Sequence, residues 1–155
     1  MNEKNELRYL VKAKRLDTAE WVIGFLTIMW QQYHIIPLEN ENTAYPIDTD
    51  TICMCTGICA INEVVIREYD VIKHYNNPNF PENFSTGVII WDEARAGFRV
   101  YHFPNLTDSY LLCNDCKYEV VGNVLEPSEF SSLIMQTENI HPAFDKVKAY
   151  LSKNK

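Results

Sequence analysis

Five cysteines are the residues whose type and spacing first raise the question of chemistry. Cys53, Cys55 and Cys59 fall within seven residues of "TICMCTGIC", and Cys113 and Cys116 form a C-x-x-C pair in "CNDC". Five thiolates exceed the four that close a tetrahedral zinc site, and C-x-x-C is the spacing of a zinc knuckle. The first cluster departs from that pattern. Its C-x-C-x-x-x-C spacing lies in a segment that reads as extended, which would put Cys53 and Cys55 on one face and Met54 on the other. The competing reading makes the thiols small hydrophobes in or beside a core. No metal or other cofactor is then required.

A cysteine nucleophile needs a histidine within hydrogen-bond reach, and His34, His74, His102 and His141 are scattered along the chain. There is no nucleophile elbow, phosphate-cradling glycine loop or H-E-x-x-H helix, and five glycines are few for a nucleotide-binding loop. Paired carboxylates stand at Glu68 and Asp70 in "REYD" and at Asp92 and Glu93 in "WDEAR". On one continuous strand Glu68 and Asp70 would face the same way and could share a metal or a proton. Asp92 reads instead as a turn former between two strands. Trp21, Trp30, Trp91, Tyr101 and Phe103 supply core or an aromatic binding face. From these groups Glu68, Asp70, Trp91 and Asp92 are the surface candidates for a binding site, and no catalytic residue is assigned.

The elements that must position these residues are mostly strands. "LRYLVKAKR" alternates from Leu7, with Tyr9, Val11 and Ala13 on one face and Arg8, Lys12 and Lys14 on the other. "LDTAE" is a turn, and "WVIGFLTIMW" is a second strand in which Gly24 suits a bulge or a close approach. Tyr33 to Ile36 adds a short strand, and "PLENENTAYPIDTD" reads as a loop. "EVVIREYDVIKHY" has the β-branched density of one strand, followed by the breaker-rich loop "NNPNFPENFSTG". "GVIIWDEARAGFRVYHF" predicts two strands around a turn at Asp92 to Gly97, and "KYEVVGNVL" another. Near the end the period changes. "EPSEFSSLIMQ" predicts a short helix, and "HPAFDKVKAYLSKNK" a second, with Pro142 near its start and Phe144, Val147, Tyr150 and Leu151 at helical spacing. The fold class is therefore mainly β with minor helix: short antiparallel strands forming a small barrel or sandwich, and a C-terminal helix.

At 155 residues and 46% hydrophobic content, one compact domain is the expected organisation, with a hairpin region at 1–50, a barrel-like region at 51–130 and a helical tail at 140–155. Asp and Glu number 21 against 14 Lys and Arg, a formal charge of -7, which disfavours a phosphate backbone as partner. The nearest basic patch is Lys12, Lys14 and Arg15 in "VKAKR". No apolar run reaches the length of a membrane span, and "MNEKNELRYL" lacks the form of an export signal. The expectation is a cytoplasmic protein, without membrane contact, whose odd number of thiols stays reduced.

The stretch "TICMCTGICAINEVVIREYDVI" resembles the signature T-V-x-Q-Y-T-G-L-x-D-x-x-G-x-x-I-Y-E-G-D-I-V of the YopX family, through Thr51, Ile52, Thr56, Gly57, Ile58, Ile66, Glu68, Asp70, Val71 and Ile72. "RYLVKAKRLDTAEWVIGFL" resembles that family's opening hairpin, and "GVIIWDEARAGFRVY" and "YEVVGNVLEPSEF" its later strands and ending. Three departures stand out. The cysteines occupy positions of local variation, Ala60, Ile61 and Val64 replace the turn chemistry of D-x-x-G, and Tyr69 replaces the glycine of E-G-D. The tail from His141 lies beyond the family's usual ending. The resemblance implies a mostly β protein of bacteriophage or prophage origin with an SH3-like barrel in its C-terminal part. Its signature has no recurrent cysteine, histidine or acid pair, and so implies a non-enzymatic binding or regulatory module contacting a host or phage protein. The C-terminal helix is a possible homo-oligomer contact. The alternatives are a small zinc- or thiol-dependent enzyme using the cysteines, and single-stranded nucleic-acid binding by the barrel.

Overall fold

A computed structural model describes residues 7–77, 79–114 and 116–154; the ends of the expected 1–50 and 140–155 regions, residues 1–6 and 155, lie outside the described residues. The chain forms two compact units, Met1–Gly57 and Ile58–Lys155.

The first unit is a four-stranded antiparallel sheet of β1 (Val11–Lys14), β2 (Trp21–Met29), β3 (Gln32–Pro37) and β4 (Tyr45–Pro46), in that order. The expected hairpin is present, with Val11 opposite Gly24 and Lys14 opposite Trp21. The first strand begins later than its alternation predicts, because Leu7–Tyr9 is a 3-10 turn. Leu10 and Val11 are both buried, which a strand of period two cannot achieve on one face, so the alternation starts only at Val11. Val11, Ala13, Ile35 and Ile47 form the core. The expected loop after β3 contains β4 and a 3-10 turn over Thr49–Thr51, capped by the Asp48 side chain.

Two features of this sheet are unusual. β2 and β3 are joined by two residues, Trp30 and Gln31, with φ of 50° and 64°. That is the backbone of the tight hairpin turn that asparagine and glycine usually supply. Trp30 at the tip is 89% exposed. The cations of "VKAKR" are engaged: Lys12 and Lys14 lie over the Trp21 ring at 4.5 and 5.2 Å. Arg15 pairs with Asp17 at 2.6 Å and stacks on Tyr45.

β5 (Cys55–Cys59) runs through the boundary at Gly57 and pairs with β6 (Val65–Arg67) of the second unit. A five-stranded antiparallel sheet follows, built from β7 (Asp70–Tyr75), β8 (Phe84–Asp92), β9 (Gly97–His102), β10 (Ser109–Leu111) and β11 (Lys117–Asn123). Its order is β10-β9-β8-β7-β11. The expected barrel is not confirmed: among the described residues no sheet closes, and β10 and β11 remain the two edges of this one. The sheet nevertheless curls. Tyr110 on β10 and His74 on β7 stand three places apart, about 14 Å in a flat sheet, yet the Tyr110 hydroxyl and His74 Nδ1 are 2.8 Å apart. Side chains join what backbone hydrogen bonds do not. Ile66, Ile72, Ile89, Val100 and Tyr118 form the core beneath.

The single strand expected over "EVVIREYDVIKHY" is two, β6 and β7, broken at Glu68 and Tyr69. Tyr69 adopts φ +70°, the left-handed conformation that the glycine of the resembled signature would adopt without strain. Such a backbone costs a tyrosine on the order of 1–3 kcal/mol. Surrounding structure holds it there: the Tyr69 N–H donates to Ile89 O at 2.8 Å and its carbonyl accepts from Val124 N at 2.9 Å, with the ring buried.

The His74 contact makes stability depend on pH. Burial first, and then the neighbouring His102 charge, hold the His74 imidazole below its ordinary range. Burial pushes the Tyr110 phenol up to about 12, so it stays protonated in its hydrogen bond with a neutral His74. An imidazole with a depressed folded-state pKa contributes stability that is fully present above the unfolded value, about 6.5, and is lost as pH falls through the folded one. The unfolding midpoint should therefore drop as pH is lowered from about 7 toward 5, and His74→Gln should flatten that slope. An equally steep slope in the variant would show that His74 is not its source.

Both expected helices are present. α1 (Glu129–Gln136) starts at Ser128, whose hydroxyl accepts from Ser131 N at 3.3 Å while Ser131 Oγ accepts from Ser128 N at 2.8 Å. This reciprocal cap satisfies two otherwise orphaned donors. α2 (Asp145–Lys153) follows a 3-10 turn over Pro142–Phe144. Phe144, Val147 and Tyr150 are buried within the unit, so the helix's apolar face is already covered by its own chain. Among the described residues no helix is long and apolar enough to cross a membrane.

Candidate functional site

A cleft of the second unit, about 760 Å³, is lined by residues from three places in the chain. Glu68 and Tyr69 come from the turn between β6 and β7, Trp91 and Asp92 from the end of β8 with Glu93 beyond it, and His141 and Pro142 from the segment leading into α2, with Lys146 in that helix's first turn. Three of the four surface candidates, Glu68, Trp91 and Asp92, therefore meet at one site.

Asp70 does not join them. The turn at Tyr69 sends its side chain inward, where it is 5% exposed, so Glu68 and Asp70 do not share a face as one continuous strand would require. Its carboxylate accepts from Arg67 N at 2.8 Å and Asn123 Nδ2 at 3.2 Å, tying the turn to the end of β11. The role is structural.

Asp92 forms the turn, as its position between two strands predicts. Its side chain accepts from Ala94 N at 3.1 Å and pairs with Arg95 Nη1 at 3.2 Å, so a carboxylate only 1% exposed has the partners that burial demands. His141 Nδ1 accepts from Ala143 N at 3.1 Å, which leaves the proton on Nε2, facing Asp92 Oδ1 at 3.9 Å. The imidazole thus caps its own segment and closes the cleft against the turn of β8 and β9.

Trp91 rests edge-on against Phe98, ring centroids 5.0 Å apart, with 38% of its surface still open. Glu93 and Lys146 are exposed on the rim, and Glu68 is half-buried. Of the other aromatics, Tyr101 is buried and Phe103 packs on Phe130. Chemically the cleft offers the carboxylates of Glu68 and Glu93, one ammonium group and a partly exposed indole, while Asp92, expected at the surface, is buried and taken up by its own turn. That set suits recognition of a cation on a flexible stem. Pro142 and Lys146 were invisible as site residues, and His141 stood out only as one of four scattered histidines; a helix-start pattern does not reveal which strand the helix will pack on.

The thiols lie elsewhere. Cys53 is buried and its Sγ–H donates to Thr51 O at 3.3 Å, while Met54 beside it is exposed, as an extended segment requires. Cys55 and Cys59 are the ends of β5, and Cys113 and Cys116 stand together between β10 and β11. Among the described residues no three Cys, His, Asp or Glu side chains gather to hold a metal ion.

A mainly β, two-unit chain with an acidic, indole-bearing cleft is the class that this geometry defines. The family model described as YopX protein matches residues 23–130, more than two thirds of the chain. The chain belongs to the YopX protein family. The match includes the Glu68 and Trp91–Asp92 walls of the cleft and ends before the His141–Lys146 wall. No curated protein matches the chain.

Proposed function

We propose that this protein is a non-enzymatic recognition module, encoded by a bacteriophage or prophage and acting in the host cytoplasm, whose cleft takes a partner protein's segment through a basic side chain. The observation that carries this reading is the cleft's composition: Glu68 and Glu93 against Lys146, with the partly exposed indole of Trp91 among them. A lysine or arginine would lay its stem along the indole and its charge between the carboxylates, a pairing favoured by charge and by ring polarisation. A formal charge of -7 adds long-range attraction for a basic partner.

Selection from a random peptide library tests the reading. Recovered sequences should be enriched in Lys or Arg, and Trp91→Ala should weaken the best of them at least tenfold, the loss of about 1.4 kcal/mol or more expected when an interface anchor is truncated. Glu93→Lys should weaken them further at low salt. Recovery of acidic or purely apolar peptides, or binding indifferent to Trp91→Ala, would end the proposal.

A further inference from the structure

The C-x-x-C pair plays no part in the cleft, and its geometry is specific. Cys113 and Cys116 Sγ are 2.9 Å apart, less than one ångström beyond the length of about 2.05 Å for a covalent S–S bond. Both side chains are half-buried in the short connection between the two edge strands, so a small molecule can reach them. Tyr118 holds the pair in place. Its hydroxyl accepts from Cys113 N at 3.5 Å and lies 3.8 Å from Cys113 Sγ, and its ring is buried in the core. Cys116 packs against the same core. No third metal-binding side chain joins them among the described residues. Two sulfurs fall short of a tetrahedral metal site, but two are what a disulfide needs.

We infer that Cys113 and Cys116 form a redox-active dithiol that closes reversibly to a disulfide by exchange with small-molecule disulfides. One thiolate attacks a sulfur of the oxidant RSSR, forming a mixed disulfide and expelling RS⁻ with the bonding electron pair. The second thiolate attacks the protein-side sulfur of that mixed disulfide and expels the other RS⁻. The two protons lost by the cysteines end on two RSH molecules; the protein dithiol is oxidised by two electrons and RSSR is reduced by two. A reducing cytoplasm keeps such a pair open until the thiol pool is oxidised, the behaviour of a sensor and not of a structural bridge.

The chain carries its own control. Cys55 and Cys59 stand four residues apart on one strand, about 13 Å, too far to bridge. Folded protein is equilibrated with graded mixtures of oxidised and reduced glutathione, trapped by alkylation and weighed intact and as peptides. The expected result is loss of two of the five thiols, with the bond mapped to Cys113–Cys116 and no glutathione retained. Cys113→Ser and Cys116→Ser should each instead retain one glutathione on the remaining member of the pair. A wild-type protein that accumulates glutathione adducts without closing, that bridges any other pair, or that stays fully reduced in oxidised glutathione alone until denatured would overturn the inference.

Discussion

Replacing Gly24 with alanine is expected to destabilise the first unit by about 3 kcal/mol or more, the upper end of what overpacking a core costs. Gly24 lies in the middle of the sheet, opposite Val11 on β1 and Pro37 on β3. A Cβ built there would stand 2.1 Å from Ile36 O, 2.7 Å from Ile36 C and 2.8 Å from Ile35 Cγ2. The nearest obstacle is main chain, so no rotamer change relieves it; β2 and β3 must move apart and weaken their ladder. For a unit of this size the unfolding midpoint should fall by roughly 12 °C or more, with hydrogen exchange accelerated across β1 to β3. Gly122 is the matched control, since nothing lies within 4 Å of a Cβ there. Gly122→Ala should stay within about 0.5 kcal/mol of the parent. Equal midpoints for the two variants would mean that the sheet is not packed as closely at Gly24 as the distances state.

That position illustrates what the sequence made legible. A lone glycine inside a β-branched run has few explanations, and close approach is one of them. The hairpins, the Asp92 turn and both helices were equally readable, because each has a local signal: alternation, a breaker-rich gap, or a capping residue before a 3.6-residue period. The break between β6 and β7 had no such signal. Tyr69 looks like one more strand-forming aromatic, and it is held in the left-handed region by tertiary contacts, its backbone bonds to Ile89 and Val124 among them. Asp70 was misplaced with it, since one residue of turn reverses which way every following side chain points. The barrel expectation is not confirmed, for a different reason. β11 lies beside β7, β10 ends as an edge after three residues, and Tyr110 reaches across to His74 on β7 without joining the two edges. Strand count says nothing about whether the last pair of edges will hydrogen-bond.

The site was the least legible part, because its third wall depends on where a distant segment packs. Phe144 decides this, and Phe144→Ala is expected to cost about 3–5 kcal/mol, the range for truncating a buried phenylalanine. The side chain has no exposed surface and meets Tyr101 of β9 edge-to-face, centroids 5.3 Å apart. His141 lies against the same Tyr101 ring at 5.6 Å, so one aromatic on β9 receives both the cap of this segment and its anchor. Deleting the Phe144 ring should free Pro142–Phe144 and the start of α2 together, taking His141 and Lys146 away from Asp92 and Trp91. Phe144→Leu, which keeps most of the apolar volume, should recover much of the stability.

Denaturant unfolding and binding of a selected basic peptide then separate two kinds of residue. Trp91→Ala should weaken binding at least tenfold while costing less stability than Phe144→Ala, because 38% of the Trp91 surface is open whereas Phe144 has none exposed. Phe144→Ala should lose stability and binding together, although it touches no ligand. A Phe144→Ala protein that binds as tightly as the parent while its C-terminal segment exchanges hydrogen freely would show that the β6–β8 wall is sufficient, and would return the site to the region that the family model matches.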